Sequence, residues 1–324
     1  MTQDLICPNE TGYPLVIEGS NIIFDGNGHK IVGPQAFAGI FVQGSNITVQ
    51  NVNAQGFQAY GIFAYNTPGI QLIGNNTSNN HVGLEIYTDS PTVNQALILG
   101  NISTGNSAYG AFTGQGNSGQ IINPIFSGND FSNSQSFALA VEATQFEYNG
   151  FLEFNKMTGS QNGLFLVGGT FNIHDLDLSQ QQFQKIGIFG QEASSISLTN
   201  VNCSTTLAPN SLSEHTGVDF YEVQNFVING YTSNNTDTGL RFETEQGVSC
   251  AGTIENSTFK NNDGVGISII SYDSTAYGLI TLANNTFVES SGISDWTLAN
   301  GTVADLVQSV IANNGNNQKH SSCH

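Results

Sequence analysis

Two groups of side chains in this 324-residue sequence have types and spacing that can do chemistry. The first is Asp219, Arg241 and Glu243. They sit in two near-copies of one pattern, GVDFYEV from Gly217 and GLRFETE from Gly239, and Arg241 is the only arginine. If the copies stack, Asp219 and Arg241 are vertical neighbours about 5 Å apart. The Asp219 and Glu243 carboxylates then lie roughly 8 Å apart, where one acid protonates a leaving glycosidic oxygen and the other activates water, with inversion. The same stacking makes Asp219 and Arg241 a plain surface ion pair worth about 0 to 1 kcal/mol, and both readings stay open. The second group is Phe63, Tyr65, Tyr87 and Tyr221, with Glu85 among them, at equivalent places of the same pattern. Aromatic rings in a row can stack the apolar faces of sugar rings.

Both groups depend on a repeat. The Gly-apolar-x-apolar unit appears as GIFVQGS from Gly39, GIFAYNT from Gly61, GLEIYTD from Gly83 and GAFTGQG from Gly110. It continues as SFALAVE from Ser136, GLFLVGG from Gly163, GIFGQEA from Gly187, the two copies above, and GISIISY from Gly266. A second alternating run follows each, as in NITVQNV from Asn46, SISLTNV from Ser195 and NFVINGY from Asn225. Self-similarity at this period marks a repeat architecture. An asparagine recurs at the end of the second run, at positions such as Asn51, Asn75, Asn101, Asn129, Asn155, Asn200, Asn256 and Asn284. Asn tolerates the left-handed backbone of a sharp corner, and stacked amides can bond the coils above and below.

These signs predict an all-β, single-stranded parallel β-helix, right-handed because parallel crossovers are, with about ten or eleven coils. An antiparallel sandwich or barrel of short strands is the competing arrangement. One domain over 1–300 is expected, with 4–38 as entry coil. Residues 301–312 have the apolar spacing of a capping helix, and 313–324 read as a disordered tail.

Strand alternation assigns faces. The residue after each Gly points in and the next points out. One outer row then reads Phe41, Phe63, Glu85, Phe112, Ala138, Phe165, Phe189, Asp219, Arg241, and the next contains Tyr65, Tyr87, Tyr221 and Glu243. Such a row is a sugar platform, or it is covered by a loop or a neighbouring subunit, or the faces are one residue out of register and every Phe is buried.

Composition narrows the partners. Lys plus Arg number 6 against 25 Asp plus Glu, a formal charge of −19. Nucleic acid and anionic membranes want the opposite sign, and a polyuronate is repelled unless a cation bridges it. No apolar run is long enough to span a bilayer. Asn-x-Ser/Thr sequons point weakly to secretion. The opening Met-Thr-Gln-Asp is not a signal peptide, and either a mature secreted chain behind an added Met or a cytosolic start fits it. Cys7, Cys203, Cys250 and Cys323 have no metal-ligand spacing, and their pairing stays open. No cofactor or metal motif is present, although Asp263 and Asp273 can contribute to a calcium site. His174-Asp175-Leu176-Asp177 reads as a metal or base cluster or as a capped corner.

The opening DLICPNETGYPLVIEGSNIIFDGNGHKIVG, followed by GIFVQGSNITVQNV, resembles the start of the β-helix repeat proteins of the carbohydrate-binding and sugar-hydrolase (NosD-like) group. That group lies within the pectate-lyase-like superfamily, and the resemblance covers about residues 4 to 295. It implies the fold and a polysaccharide or cell-surface glycan ligand. It does not choose among hydrolases, lyases, epimerases and adhesins. Asn235-Thr236-Asp237 matches the first polygalacturonase motif, but that family's paired aspartates, Gly-His-Gly and Arg-x-Lys are missing. So are the arginine-rich lyase site and the mannuronan epimerase motif. The expectation is therefore an extracellular or cell-surface β-helix that binds polysaccharide on its first-strand face. The alternatives are a glycoside hydrolase on that face, or a fibre or adhesin element that forms an oligomer or filament through it.

Overall fold

The computed structural model describes residues 1–206, 215–245, 248, 250–262, 265–271, 277–288 and 293–297. The expected capping helix over 301–312, the tail 313–324, and Asp263 and Asp273 lie outside the described residues. Two units are present: Met1–Tyr148 with Leu152–Leu164, and Asn149–Phe151 with the residues from Phe165 onward. Both are built as parallel β-helix of the right-handed type, about ten coils in all. The described residues contain strands and turns and no helix.

In the first unit the strands Ala38–Gln50, Tyr60–Tyr65, Val82–Thr88 and Tyr109–Gln115 pair in parallel, each with its equivalent in the next coil. The inner column Ile40, Ile62, Leu84, Ala111, Leu139 is in vertical register and almost wholly buried. A second inner column, Val49, Leu72, Ile98, Phe126, lines the facing wall. Each such aliphatic side chain contributes about 1.5–3 kcal/mol by leaving water. The second unit repeats this with Ile188, Val218, Leu240, Ile267 and Leu198, Ile228, Ile254, Leu282. Longer coils take up their extra residues outside these walls, as in the strand Thr92–Asn94, which pairs with Gln120–Ile122.

The repeated glycine has a steric cause. A Cβ on Gly61 would stand 2.7 Å from the carbonyl oxygen of Gly83 and from the amide of Asn80. Side chains are excluded where the first strand enters the wall. At Ser136 the frame slips by two: Phe112 stands opposite Ala140, and Thr113 opposite Val141. The outer-row place assigned to Ala138 from sequence therefore belongs to Ala140, because this coil enters without a glycine.

The recurring asparagine resolves into two positions. Asn51, Asn200, Asn256 and Asn284 hold the left-handed corner itself, with φ between 51° and 54°. Gly74, Gly100 and Gly128 take that corner in other coils, with φ between 61° and 66°. There the next residue is Asn75, Asn101 or Asn129, which points inward and is buried. Each donates Nδ2 to the next amide oxygen in the series Asn75, Asn101, Asn129, Asn155, at 2.8–3.0 Å. Asp175 occupies the corner with φ 55° and accepts from Asn200 Nδ2 at 3.0 Å. That bond and His174 lower its carboxyl below the usual range. His174 and Asp175 thus cap a corner. Asn235 is likewise a left-handed corner residue, Thr236 donates to Asn262, and Asp237 accepts the backbone N–H of His215.

Candidate functional site

The outer face is in the register that strand alternation predicts. Phe41, Phe63, Phe112, Phe165 and Phe189 are half-buried on the outside, while the residues on either side of them point in. The reading in which every Phe is buried does not hold.

In the first unit, Phe41, Phe63, Glu85 and Phe112 stack one above another. Gln43, Tyr65 and Tyr87 form the adjacent column. Rings touch from coil to coil. Tyr13 lies 4.9 Å from Phe41, Phe41 5.7 Å from Phe63, and Phe63 6.0 Å from Tyr65. Tyr65 and Tyr87 lie 6.2 Å apart with planes 5° from parallel. The neighbour of Tyr87 in the coil above is Gly114, where a Cβ would meet the Tyr87 ring at 2.8 Å. The Tyr65 hydroxyl donates to Asp89 Oδ2 at 2.6 Å, which fixes the ring and raises the phenol above its usual range.

Glu85 is set into this band. It is 6% exposed. Phe63 is below it and Phe112 above. The Tyr60 phenol favours its ionised form, and Tyr60 stacks on Phe63 at 4.8 Å. Tyr109 packs against Phe112 at 5.5 Å from the coil above. Burial pushes the Glu85 carboxyl up to about 7, against the downward pull of the Tyr60 phenol. Burial and then Glu85 push Tyr60 up to about 12, and the same two causes raise Tyr109. Among the described residues no cation pairs with Glu85. Sequence reasoning picked out Phe63, Glu85, Tyr65 and Tyr87 but missed Tyr60 and Tyr109. The signal was present as Ala-Tyr-Gly at 59–61 and again at 108–110.

The second unit carries the ionic group. Phe165 and Phe189 stack at 5.3 Å. Above Phe189 the column continues as Asp219, Arg241 and Ser268. Asp219 is 3% exposed, and its Oδ2 accepts from an Arg241 terminal nitrogen at 2.5 Å. Arg241 Nε lies 3.1 Å from Glu243 Oε1. Among the described residues no donor reaches Asp219 Oδ1. One guanidinium thus binds both carboxylates. Each carboxylate is thereby turned to the same side chain. Tyr221 stands in register between Gln191 and Glu243 and has no ring neighbour among the described residues. Its hydroxyl donates to Glu245 Oε1 at 2.5 Å. Of the residues expected from sequence, Phe63, Tyr65, Glu85 and Tyr87 lie in an aromatic band of the first unit, and Asp219, Arg241, Glu243 and Tyr221 lie in the second.

No cluster of three or more His, Cys, Asp or Glu suited to a metal occurs among the described residues. Within those residues no helix is long and apolar enough to cross a membrane. Cys7, Cys203 and Cys250 are free thiols. Compared with known proteins, the chain matches no family model, no curated protein and no solved structure.

Proposed function

We propose that this protein binds a polysaccharide or cell-surface glycan outside the cell, along the aromatic band of its first unit. The observation that carries the reading is the continuous contact of half-buried rings from Tyr13 through Phe41 and Phe63 to Tyr65 and Tyr87, between coils and, for Phe63 with Tyr65, along one strand. Rings held in register at the coil repeat offer successive apolar surfaces to a chain of sugars. The charge of −19 favours a neutral or cationic glycan over a polyuronate. The resemblance of the N-terminal coils to the carbohydrate-binding and sugar-hydrolase group supports the same ligand class. Binding is favoured over hydrolysis, because the paired carboxylates named for catalysis share one guanidinium.

A glycan array followed by affinity electrophoresis tests this. Tyr65→Ala and Tyr87→Ala should each weaken binding roughly tenfold, the usual effect of truncating an aromatic anchor. Tyr221→Ala, in a column without ring neighbours, should leave binding unchanged. Wild type that retains no glycan, and self-associates in light scattering, would instead make the band a subunit interface.

A further inference from the structure

The outer column of each unit holds a buried carboxylate, and the two are treated differently. Asp219 has the guanidinium of Arg241 on it. Glu85, almost as deeply buried, has no cation on it among the described residues and stands between Phe63 and Phe112 in the column. Phe63 and Tyr60 flank it from the strand Tyr60–Tyr65, and Phe112 and Tyr109 from the strand Tyr109–Gln115. A buried carboxylate lacking a counter-charge costs several kcal/mol, which proteins ordinarily remove by pairing. Rings clustered around a carboxylate are surroundings in which an ammonium group is held, by the ring quadrupoles and the charge together.

We infer that Glu85 and the rings of Tyr60, Phe63, Tyr109 and Phe112 form a subsite for an ammonium group, carried by an amino-sugar unit of the bound glycan. The inference rests on the glycan-binding reading and specifies its ligand as a polymer bearing free amines. The net charge of −19 complements such a polymer. The titratable groups facing Glu85 are Tyr60 on the coil below, Tyr109 on the coil above and Tyr87 on its own strand. All three are phenols raised above their ordinary value, so near neutral pH Glu85 is the group of this set that changes charge. The ligand cation binds the ionised carboxylate, so binding below the Glu85 midpoint releases a proton to solvent.

The probes are a glucosamine tetramer, its fully N-acetylated counterpart, and tetramethylammonium, whose charge does not titrate. Calorimetry on the full chain should show the amine tetramer at least about tenfold tighter than the acetylated one, the size of a desolvated cation–π contact. In Glu85→Gln that ratio should fall to about one. Tetramethylammonium should bind wild type about tenfold more tightly one pH unit above the Glu85 midpoint than one unit below it, following the ionised fraction. On saturation with tetramethylammonium, the carboxyl carbon resonance of Glu85 should titrate at lower pH, a readout that needs no variant. Equal affinities for the two tetramers, or a preference that survives Glu85→Gln, overturns the ammonium subsite and leaves the aromatic platform standing. If wild type takes neither tetramer but retains other glycans, the subsite again falls alone. If it retains no glycan at all, the platform reading fails, and the tetramethylammonium titration still decides whether Glu85 holds a cation.

Discussion

Glu85 makes stability depend on pH in a way that one substitution should remove. Its carboxyl has an ordinary value of 4.5 and rises to about 7 in the folded chain, with burial the main cause. The folded value lies above the unfolded one, so between the two the folded state binds more protons. Stability is then fully present below pH 4.5, falls as the pH rises through this window, and levels off above about 7. At 1.36 kcal/mol per pH unit the loss amounts to about 3 kcal/mol. Glu85→Gln keeps the shape and an acceptor oxygen but has no charge to bury. Relative to wild type it should gain nothing at acid pH and about 3 kcal/mol at alkaline pH, roughly 5 °C in melting temperature if the chain melts as a unit. Melting both proteins by circular dichroism across this range isolates Glu85, since every other carboxylate titrates alike in the two. Parallel curves through the window, or a wild type that gains on Glu85→Gln as pH rises, would refute the view that Glu85 is a desolvated carboxyl without a counter-charge.

Two further outcomes follow from the geometry. Asn101→Ala removes the acceptor of the Asn75 backbone N–H and the donor to Leu72 O, two buried groups at about 1–3 kcal/mol each. The variant should lose about 2–6 kcal/mol and protection of the Asn75 amide in hydrogen exchange, whereas Asn51→Ala at the exposed corner should cost only the 1–2 kcal/mol or so of a left-handed residue. Arg241→Met strands Asp219 in the wall and should destabilise by about 3–5 kcal/mol without weakening glycan retention. A variant that melts like wild type would show that the ion pair carries no stability, and one that loses glycan would tie the second unit to binding.

Much of this was legible in the chain. Alternation about each glycine indicated which side chains face out, because a β-strand has a strict period of two and the inward places of these strands are mostly apolar, but it left open the register one residue away. The coil period was legible because most coils solve the same steric problem at the same place, as Gly61 does against Gly83. The register of the coil at Ser136 was not, since it turns on a backbone entry without glycine that the string SFALAVE does not mark. The two roles of asparagine were also hidden: Asn51 and Asn75 read alike as letters, and only the corner φ values and burial separate an outside bend from an inside ladder. The sequence also aligned Asp219, Arg241 and Glu243 and aligned Tyr65 with Tyr87, but stacking alone says nothing about depth. Only the tertiary structure decided that one guanidinium pairs with both carboxylates in the second unit and that Glu85 is walled in by four rings with no counter-ion among the described residues. Burial and partner choice are set by side chains from three neighbouring coils at once, and no single repeat contains that information.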